Sequence, residues 1–430
     1  MTQAQGRRAL RALLALPLLA APASAKASGF AIESQGARAM GFAGAYVAQA
    51  SDPSAIFYNA AGIAFLKGKQ LYVSGALAGL STDFVGSGPN PPLGTLETTS
   101  NGMSILPSFY YSQPVADTIV VGVGVTRPFA TQSTWTNPNE FTGRFICVEC
   151  SLSSWSVNPT VAFRLADRFS IGAGLDVRFS KFDLSRRLIA DPNPFPAPTD
   201  VAELTLASDT KTALGFNAGL LAMPTENFSI GLSYRHKVTV DHAAQADFVQ
   251  ILTGNTALDQ AVAVALPGSQ PATVSYTYPG SFAVGAALRR GYWTLEADFQ
   301  WMLWSKLDQV AIVYQNAPAF STTLPLDWKD TWRGAIGLEY LIKNDWEARF
   351  GYGYDHSPTP TDTISPFIHD ADRHTFGLGG SWKYEKLRLD FDIRYVLFRN
   401  SSTLGISRYG YDGAYSSHSL QFGAGLGYRF

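Results

Sequence analysis

The residues best suited to chemistry are two cysteines and six histidines. Cys147 and Cys150 have the two-residue spacing found in redox motifs and in half of a zinc site. A redox motif would begin a helix in a βαβ unit, and a zinc site would need two more ligands. The sequence provides neither the βαβ unit nor the two ligands. We therefore predict that the two cysteines form a local disulfide in a long loop, as they do in oxidising compartments.

The histidines match no catalytic or metal-binding pattern. None belongs to an H-E-x-x-H motif, and no glycine-rich phosphate loop joins a strand to a helix. His418 lies between Ser417 and Ser419, which leaves a lipid hydrolase as a minor alternative, although that chemistry also needs a group that orients the histidine. We expect a protein that is not an enzyme and that uses no cofactor and no metal.

The composition indicates a membrane protein without membrane-spanning helices. The 430 residues are 46% hydrophobic and 13% aromatic but only 16% charged, whereas about a quarter of a soluble domain is charged. The mean hydropathy is +0.01, and no stretch reaches the roughly 18 consecutive apolar residues of a transmembrane helix. The formal net charge of −1 argues against nucleic-acid binding, which needs a basic surface.

Residues 1–27 have the composition of a secretory signal peptide. Three arginines precede an apolar stretch from Leu13 to Ala21, and small residues follow. We predict export and cleavage after Ala25 or Ala27.

Beyond residue 68 the chain alternates apolar and polar residues over stretches of about ten. From Leu387 to Leu397 the odd-numbered residues are apolar or aromatic, while Arg388, Asp390 and other polar residues lie between them. Because the side chains of a strand alternate between two faces, each stretch predicts a strand with one apolar face. The segments are 69–84, 102–114, 118–128, 154–166, 169–184, 208–223, 228–243, 273–288, 292–313, 328–341, 346–356, 372–383, 387–398 and 415–430.

The connections between these fourteen segments alternate between short turns and long loops. This layout, with long strands and aromatic residues at the strand ends, is typical of an outer-membrane barrel. A soluble β-sandwich or propeller is the alternative, but its strands usually have about 5–6 residues. We predict an all-β fold, a transmembrane antiparallel β-barrel of about 14 strands. The predicted interfacial aromatics are Trp332, Tyr340, Trp346, Tyr352, Tyr354 and Trp382.

The residues between the signal peptide and the first strand do not alternate. They are rich in glycine and alanine yet contain aromatic residues, which are scarce in disordered tails. Fourteen strands also enclose more volume than the side chains of the barrel fill. We therefore predict three parts: a signal peptide at 1–27, an N-terminal hatch that plugs the lumen at 28–67, and the barrel at 68–430.

The hatch sequence carries a family resemblance. Ser28-Gly29-Phe30, the small residues up to Tyr46 and the stretch from Asp52 to Gly62 resemble the FadL-type outer-membrane transporters of long-chain fatty acids and other hydrophobic compounds. That family has fourteen-stranded barrels with an N-terminal hatch. Its hatch carries an Asn-Pro-Ala motif, whereas this chain has Asn59, Ala60, Ala61 and Gly62, so the fixed φ of proline is lost at that turn.

The resemblance implies passive uptake of a hydrophobic compound in three steps. Extracellular loops capture the compound in an apolar groove, a pocket beside the hatch N-terminus receives it, and it leaves laterally through the barrel wall. On this basis the ligand contacts are expected at Phe30, Phe129, Phe248 and Leu252, with Arg127 for a carboxylate. The apolar residues of loop 244–272 are spaced as one face of a helix.

The family opens its wall at a kink in the third strand, where this chain has Gly122 and Gly124. Glycines weaken strand pairing and permit bulges, so they are candidates for the lateral opening. An equally weighted alternative is that they face a crowded lumen. Most inward charges are expected to pair and to seat the hatch. They are Asp176, Arg178, Glu296, Asp298, Arg333, Glu347, Arg349, Asp390, Asp392 and Arg394.

We predict that the protein lies in the outer membrane of a Gram-negative bacterium as a monomer. Its expected partners are a hydrophobic small molecule, outer-membrane lipid and lipopolysaccharide, and the barrel-insertion machinery, which reads a terminal strand like the one ending at Phe430. A general porin for polar solutes is the main alternative, and an apolar-rich plug argues against it.

Overall fold

The computed structural model describes residues 29–190, 199–343, 345–403 and 405–430. The predicted signal peptide and Ser28 lie outside the described residues. In the described part of the chain, fourteen antiparallel strands close into a barrel because the first pairs with the last from Gln70↔Arg429 to Gly86↔Gly413. The predicted fold is confirmed.

We number the barrel strands β1 to β14 in chain order, and five of them, β6 to β10, are interrupted. They are β1 Gln70–Gly86, β2 Met103–Ala116, β3 Ile119–Thr134, β4 Glu149–Ala166, β5 Phe169–Ile189, β6 Asp200–Ser208 with Lys211–Thr225, β7 Phe228–Arg235 with Val238–Gln250, β8 Gln270–Tyr278 with Ser281–Arg290, β9 Trp293–Met302 with Gln309–Tyr314, β10 Thr322–Pro325 with Thr331–Lys343, β11 Trp346–Asp355, β12 Arg373–Tyr384, β13 Leu387–Phe398 and β14 Gly413–Arg429. Two short strands, Leu96–Thr98 and Ser401–Ser402, lie in loops.

Each predicted segment overlaps one observed strand, and the main differences are at the loop ends. There β7 continues to Gln250 and β3 to Thr134. In this extension of β7 the outward residues Gln245 and Asp247 are polar and exposed. The wall therefore rises beyond the apolar band, where the alternation that predicted the strands no longer holds.

The outer face of the barrel is apolar between two rings of aromatic residues. At the short-turn end Trp293 contacts Tyr340, and Trp346 lies 6.3 Å from Trp382 between ring centroids. At the long-loop end Trp332 lies 5.4 Å from Tyr354. Amphipathic rings at two levels mark the two interfaces of a bilayer.

The lumen is filled by the N-terminal segment, which we call the hatch (residues 29–66). It contains helix α1 (Ala37–Gly41), helix α2 (Ala55–Tyr58) and a 3-10 helix (Ala60–Phe65). All its residues are buried except Ser51, Phe57 and Phe65. A third helix, α3 (Thr256–Ala265), lies in the loop between β7 and β8. No helix in the described ranges is long and apolar enough to cross a membrane.

Charged side chains of the barrel fasten the hatch from two sides. Arg38 of α1 meets Glu339 of β10 with both Nη2–Oε distances near 3 Å. On β9, Asp298 and Glu296 accept the four backbone N–H groups of residues 46–49 at 2.6–3.1 Å. Backbone groups buried in this way need such partners.

We call the lumenal charges around the hatch the hatch seat. It comprises Glu296, Asp298, Arg333, Glu339, Glu347, Arg349, Asp390, Asp392 and Arg394. Glycines of the wall let the hatch approach closely: a Cβ at Gly337 would overlap the ring of Phe42. Asp176 and Arg178, which were also predicted to seat the hatch, pair with each other instead, and Asp176 lies 3.6 Å from Arg235 as well.

Candidate functional site

The N-terminal end of the hatch pairs with β3 inside the barrel. Ala31 forms a β-bridge with Phe129, and the N–H of Ile32 donates to the carbonyl oxygen of Pro128 at 2.8 Å. Gly29 precedes them with φ +66°, and a Cβ there would lie 2.5 Å from the ring of Trp328. Only glycine accepts both that backbone conformation and that approach. These contacts fix the ring of Phe30 at one place in the lumen.

Phe30 lies at the centre of what we call the inner aromatic cluster (Phe30, Phe129, Tyr278, Trp304 and Trp328). Its ring centroid is 4.9 Å from that of Trp304, 5.6 Å from Trp328, 6.0 Å from Phe129 and 6.2 Å from Tyr278. All five residues are buried. Phe30 therefore fills a cage whose other four rings come from the barrel strands and loops.

Arg178 of β5 borders this cage. Its guanidinium carbon lies 4.9 Å from the ring centroid of Phe129 and 4.8 Å from that of Tyr278. Nη2 is 2.5 Å from Asp176 Oδ2, whereas Nε and Nη1 make no hydrogen bond within the described residues. The side chain is fully buried. Buried N–H groups without partners are costly, so they favour an anionic ligand at this place.

The predicted cation, Arg127, lies next to the site but has different contacts. Its guanidinium carbon lies 5.6 Å from the ring centroid of Trp155, and Nη2 donates to Ser153 Oγ at 3.1 Å. Its backbone N–H and carbonyl both bond the side chain of Gln35 in the hatch. Arg127 thus ties β3 to the hatch, while Arg178 borders the cage.

The barrel wall is interrupted where the hatch pairs with β3. The pairing of β3 with β2 ends at Val125↔Phe109. Between Thr126 and Phe129 the register of β3 with β4 shifts, so that two residues bulge out. One of them is Pro128, which has no N–H for a ladder. From Arg127 to Ala130, β3 has the hatch rather than β2 on its second edge, and at Thr134 that edge bonds Ser100 and Asn101.

The interruption does not lie at Gly122 and Gly124. Both remain in register, paired with Ser112 and Tyr110 of β2. A Cβ at either glycine would lie 2.8 to 3.0 Å from the side chain of Ile56 in α2. Glycine leaves room for the hatch at both positions, as the lumen-facing alternative expects.

A second candidate site lies among the long loops. A cavity of about 360 Å³, which we call the loop groove, is lined by Phe145, Leu188, Val201, Val262 and Phe320, with Arg186 and Arg187 also on it. Val262 belongs to α3, in the loop where helical spacing was predicted. Arg187 pairs with Glu203 at 2.6 Å. The groove is thus largely apolar with two cations on its lining.

Only one of the two ligand contacts predicted near the loop between β7 and β8, Phe248 and Leu252, lies beside the loop groove. Phe248 packs against Tyr314 and Phe320, with ring centroids 5.6 and 5.9 Å apart, at the edge of the loop groove. Leu252 is 77% exposed and does not line the groove. The predicted disulfide joins Cys147, in the loop after β3, to Cys150 at the start of β4, and both residues are buried.

The hatch motif is a local structural unit. The Asn59 side chain donates to the carbonyl of Val47 at 2.9 Å and to that of Leu220 at 3.1 Å, and it accepts the N–H of Ala61. Ala60 is the first residue of the 3-10 helix, where an N–H has no partner within the helix. Alanine in place of proline therefore makes this turn less rigid, but it removes no hydrogen bond of the helix.

Asp370, in the loop after β11, closes the site over the hatch end. Its Oδ2 accepts the N–H of Gly29 at 3.1 Å, and Oδ1 lies 3.4 Å from Arg373. Burial raises the pKa of Asp370, against the effect of Arg373 and of its hydrogen bonds. The attachment of the hatch end therefore includes a titratable group outside the membrane.

The fold and the site define an outer-membrane transport barrel that is plugged by its own N-terminal segment. The family model "Outer membrane protein transport protein (OMPP1/FadL/TodX)" matches residues 18–430, and the chain belongs to this family. It is a transport protein of the outer membrane and not an enzyme.

Named relatives and solved structures agree with this assignment. The long-chain fatty acid transport protein of Salmonella typhi is 24% identical over 379 residues, which cover 80% of this chain and 81% of the relative. A Pseudomonas aeruginosa FadL homologue has a TM-score of 0.81 at 23% identity, covering 94% of this chain and 100% of that one. The Pseudomonas putida toluene transporter TodX has a TM-score of 0.67 at 17% identity, covering 94% and 99%.

Proposed function

We propose that this protein takes up long-chain fatty acids by passive diffusion, with the carboxylate bound by Arg178. The observation that carries the proposal is the buried Arg178 guanidinium, which has two nitrogens, Nε and Nη1, without hydrogen-bond partners in the described structure and borders the inner aromatic cluster. A long hydrocarbon with one anionic end matches an apolar cage with one cation at its edge.

The loop groove is the proposed site of first capture. Its apolar lining from several loops offers hydrocarbon contact at the cell surface, and Arg186 and Arg187 lie on it for the carboxylate. Burial of apolar area provides roughly 25 cal/mol per Å², so even partial burial of an acyl chain concentrates it there.

Transfer inward requires Phe30 to move, because its ring already fills the cage that an acyl chain would occupy. Phe30–Ile32 is held to β3 by few backbone hydrogen bonds, at the place where β3 has no partner in β2. Displacement of this segment by ligand would uncover the interruption after Val125. Lateral release into the outer membrane through that interruption completes the proposed path.

Monoaromatic hydrocarbons are the second candidate class. Four rings surround Phe30 in the cage, and edge-to-face contacts of this kind suit an aromatic guest as well as they suit Phe30. A related structure is a toluene transporter by name. The unpartnered N–H groups of Arg178 favour the acid over the hydrocarbon.

The test is equilibrium binding of labelled oleate and labelled toluene to the purified protein in nanodiscs. We expect saturable oleate binding that Arg178→Met weakens at least tenfold, while toluene binding changes less than twofold. Arg127→Met is the matched control, because Arg127 is buried near the same place but bonds Ser153. Equal losses in both variants, or no saturable oleate binding, would contradict the proposal.

The remaining assignments complete the proposal. Residues 1–27 act as a signal peptide, residues 28–67 as the hatch and 68–430 as a barrel that works as a monomer. The outward Tyr428 and Phe430, with ring centroids 4.9 Å apart, support recognition of the last strand by the insertion machinery. The apolar band favours contact with outer-membrane lipid, and the polar wall extension of β7 favours contact with lipopolysaccharide.

A further inference from the structure

A cleft separates the hatch from the barrel wall at the short-turn end, and it shares no lining residue with the proposed transport site. It has a volume of about 180 Å³ and extends between hatch residues 48–51 and the ends of β6 to β9. Exposed residues form its rim: Glu226 in the turn between β6 and β7, and Arg289 at the end of β8. Short turns face the periplasm in barrels of this type, so the cleft opens to the periplasm.

The walls of the cleft are mostly apolar. Leu221 and Met223 of β6, Ala287 of β8, and Phe65 and Leu66 of the hatch line it. An apolar cavity of roughly 150 Å³ accepts benzene. The cleft therefore has room for one six-membered ring with a small substituent.

One polar side chain in the cleft has no partner. Gln49 is 8% exposed, and its Nε2 and Oε1 make no hydrogen bond within the described residues. Its backbone is fixed, because its N–H donates to Glu296 Oε1 at 3.1 Å. A buried amide offers one donor and one acceptor side by side, and leaving both unpaired is costly. A hydroxyl group, which donates and accepts, is the smallest complement.

The charge around Gln49 selects against anions. Glu296, which holds the N–H of Gln49, is buried, and Asp298 lies two residues further on the same face of β9. An anionic group at the Gln49 amide would lie next to these carboxylates in a poorly solvated place. Arg289 is exposed at the rim, so it attracts anions to the mouth of the cleft rather than to its inner end.

We propose that this cleft is a second binding site, open to the periplasm, for a neutral ring-bearing alcohol or phenol whose hydroxyl group pairs with the amide of Gln49. The ring packs between Leu221, Met223 and the hatch. A hydrocarbon of the same shape would leave the amide unpaired, and a carboxylate would meet Glu296. A site built to bond a hydroxyl group rejects the analogue that lacks it.

The test uses Met223→Cys in the full barrel, where the native cysteines are joined in a disulfide and the new thiol reports on the cleft. A water-soluble maleimide labels this thiol in the presence of 4-methylphenol, toluene or 4-methylbenzoate. We expect 4-methylphenol to slow labelling at concentrations at least tenfold below those of the other two. Equal protection by toluene, or none by any of the three, would overturn the proposal.

Gln49→Leu in the same background provides the second variant. It retains the backbone N–H to Glu296 and replaces the amide with an apolar side chain of similar size, so toluene should now protect at least as well as 4-methylphenol. An unchanged preference for the phenol would also overturn the proposal. Arg178→Met is the control: it should leave protection at Cys-substituted Met223 unchanged, which separates failure here from failure of the fatty-acid site.

Discussion

The hatch seat and the inner aromatic cluster hold the hatch by two different kinds of contact. In the hatch seat, Glu296 and Asp298 alone accept four backbone N–H groups, and Arg38 and Glu339 form a close ion pair. In the inner aromatic cluster, Phe30 is held by ring contacts and a few backbone hydrogen bonds. Directional bonds specify one position, whereas ring packing accepts a substitute of similar shape. The comparison shows which part of the plug a ligand can replace.

The largest expected effect comes from breaking the seat. Glu296→Ala with Asp298→Ala leaves four buried N–H groups of residues 46–49 without partners, at about 1–3 kcal/mol each. The barrel strands do not depend on these bonds, so the plug should loosen within an intact barrel. We expect liposome swelling with sugars to rise at least tenfold from a low native rate.

The control for this variant removes acidic residues from the long-loop end of β6. Asp200→Ala with Glu203→Ala breaks the ion pairs to Arg144 and Arg187 and leaves the seat intact. Swelling should stay at the native rate in the control. A seat variant that remains as tight to sugars as the native protein would show that packing alone retains the plug.

The second prediction tests whether Phe30 occupies the place of a ligand in the inner aromatic cluster. Phe30→Ala leaves a ring-sized space among Trp304, Trp328, Tyr278 and Phe129, and such apolar spaces bind benzene-like molecules. The dissociation constant of toluene, measured by titration calorimetry, should fall about tenfold because its intramolecular competitor is gone. Phe57→Ala, in a hatch ring outside the cluster, should leave the constant unchanged. A weaker toluene affinity in Phe30→Ala would mean that Phe30 forms part of the wall of the toluene site and does not occupy the site itself.

The third prediction concerns delivery to the cage from the loop groove. Val262→Glu places a carboxylate on the apolar groove lining, where it repels an incoming fatty acid. The association rate of oleate, followed by stopped-flow fluorescence, should fall about threefold to tenfold, with little change in the final bound amount. Ala263→Glu, on an exposed face of α3, is the matched control. Equal slowing by both variants would assign the effect to surface charge in general.

The smallest expected effect is a pH dependence at the end of the hatch. Because burial raises the pKa of Asp370 above its unfolded value, the folded protein binds that proton more tightly. This contribution is complete below the unfolded pKa of about 3.9 and is lost as the pH rises through the folded pKa. Between those values the melting temperature of the native protein should fall by about 2 °C relative to Asp370→Asn. Parallel curves for the two proteins would contradict the assignment.

The barrel was predictable from the sequence because alternation is a local signal. Leu387–Phe398 was located to the residue, since both its faces are visible in twelve consecutive residues. The part of β7 after residue 243 was not, because outward residues such as Gln245 and Asp247 are polar and do not alternate with a buried polar face as the predicted strands do.

The site was predictable only in part, because it is assembled from distant segments. Phe30 and Phe129 followed from the family resemblance, but Trp304 and Trp328 come from loops with no local pattern that marks them. The sequence predicted Arg178 only as an inward charge. Its role depends on the rings of Phe129 and Tyr278, which come from distant parts of the chain. The interruption of β3 had a visible signal in Pro128, which cannot complete a strand ladder, whereas Gly122 and Gly124 were candidates because of the family's kink in this strand and the weak pairing of glycine.

The hatch fastens the seam between β1 and β14 from inside. The two strands pair over seventeen residues, and their pairing is what closes the barrel. Tyr72 Oη of β1 accepts the N–H of Arg38, and Gln421 Oε1 of β14 accepts the hydroxyl of Ser34 at 3.0 Å. Because the hatch bonds both strands of the seam, it resists their separation, so the plug adds to the stability of the ring that encloses it.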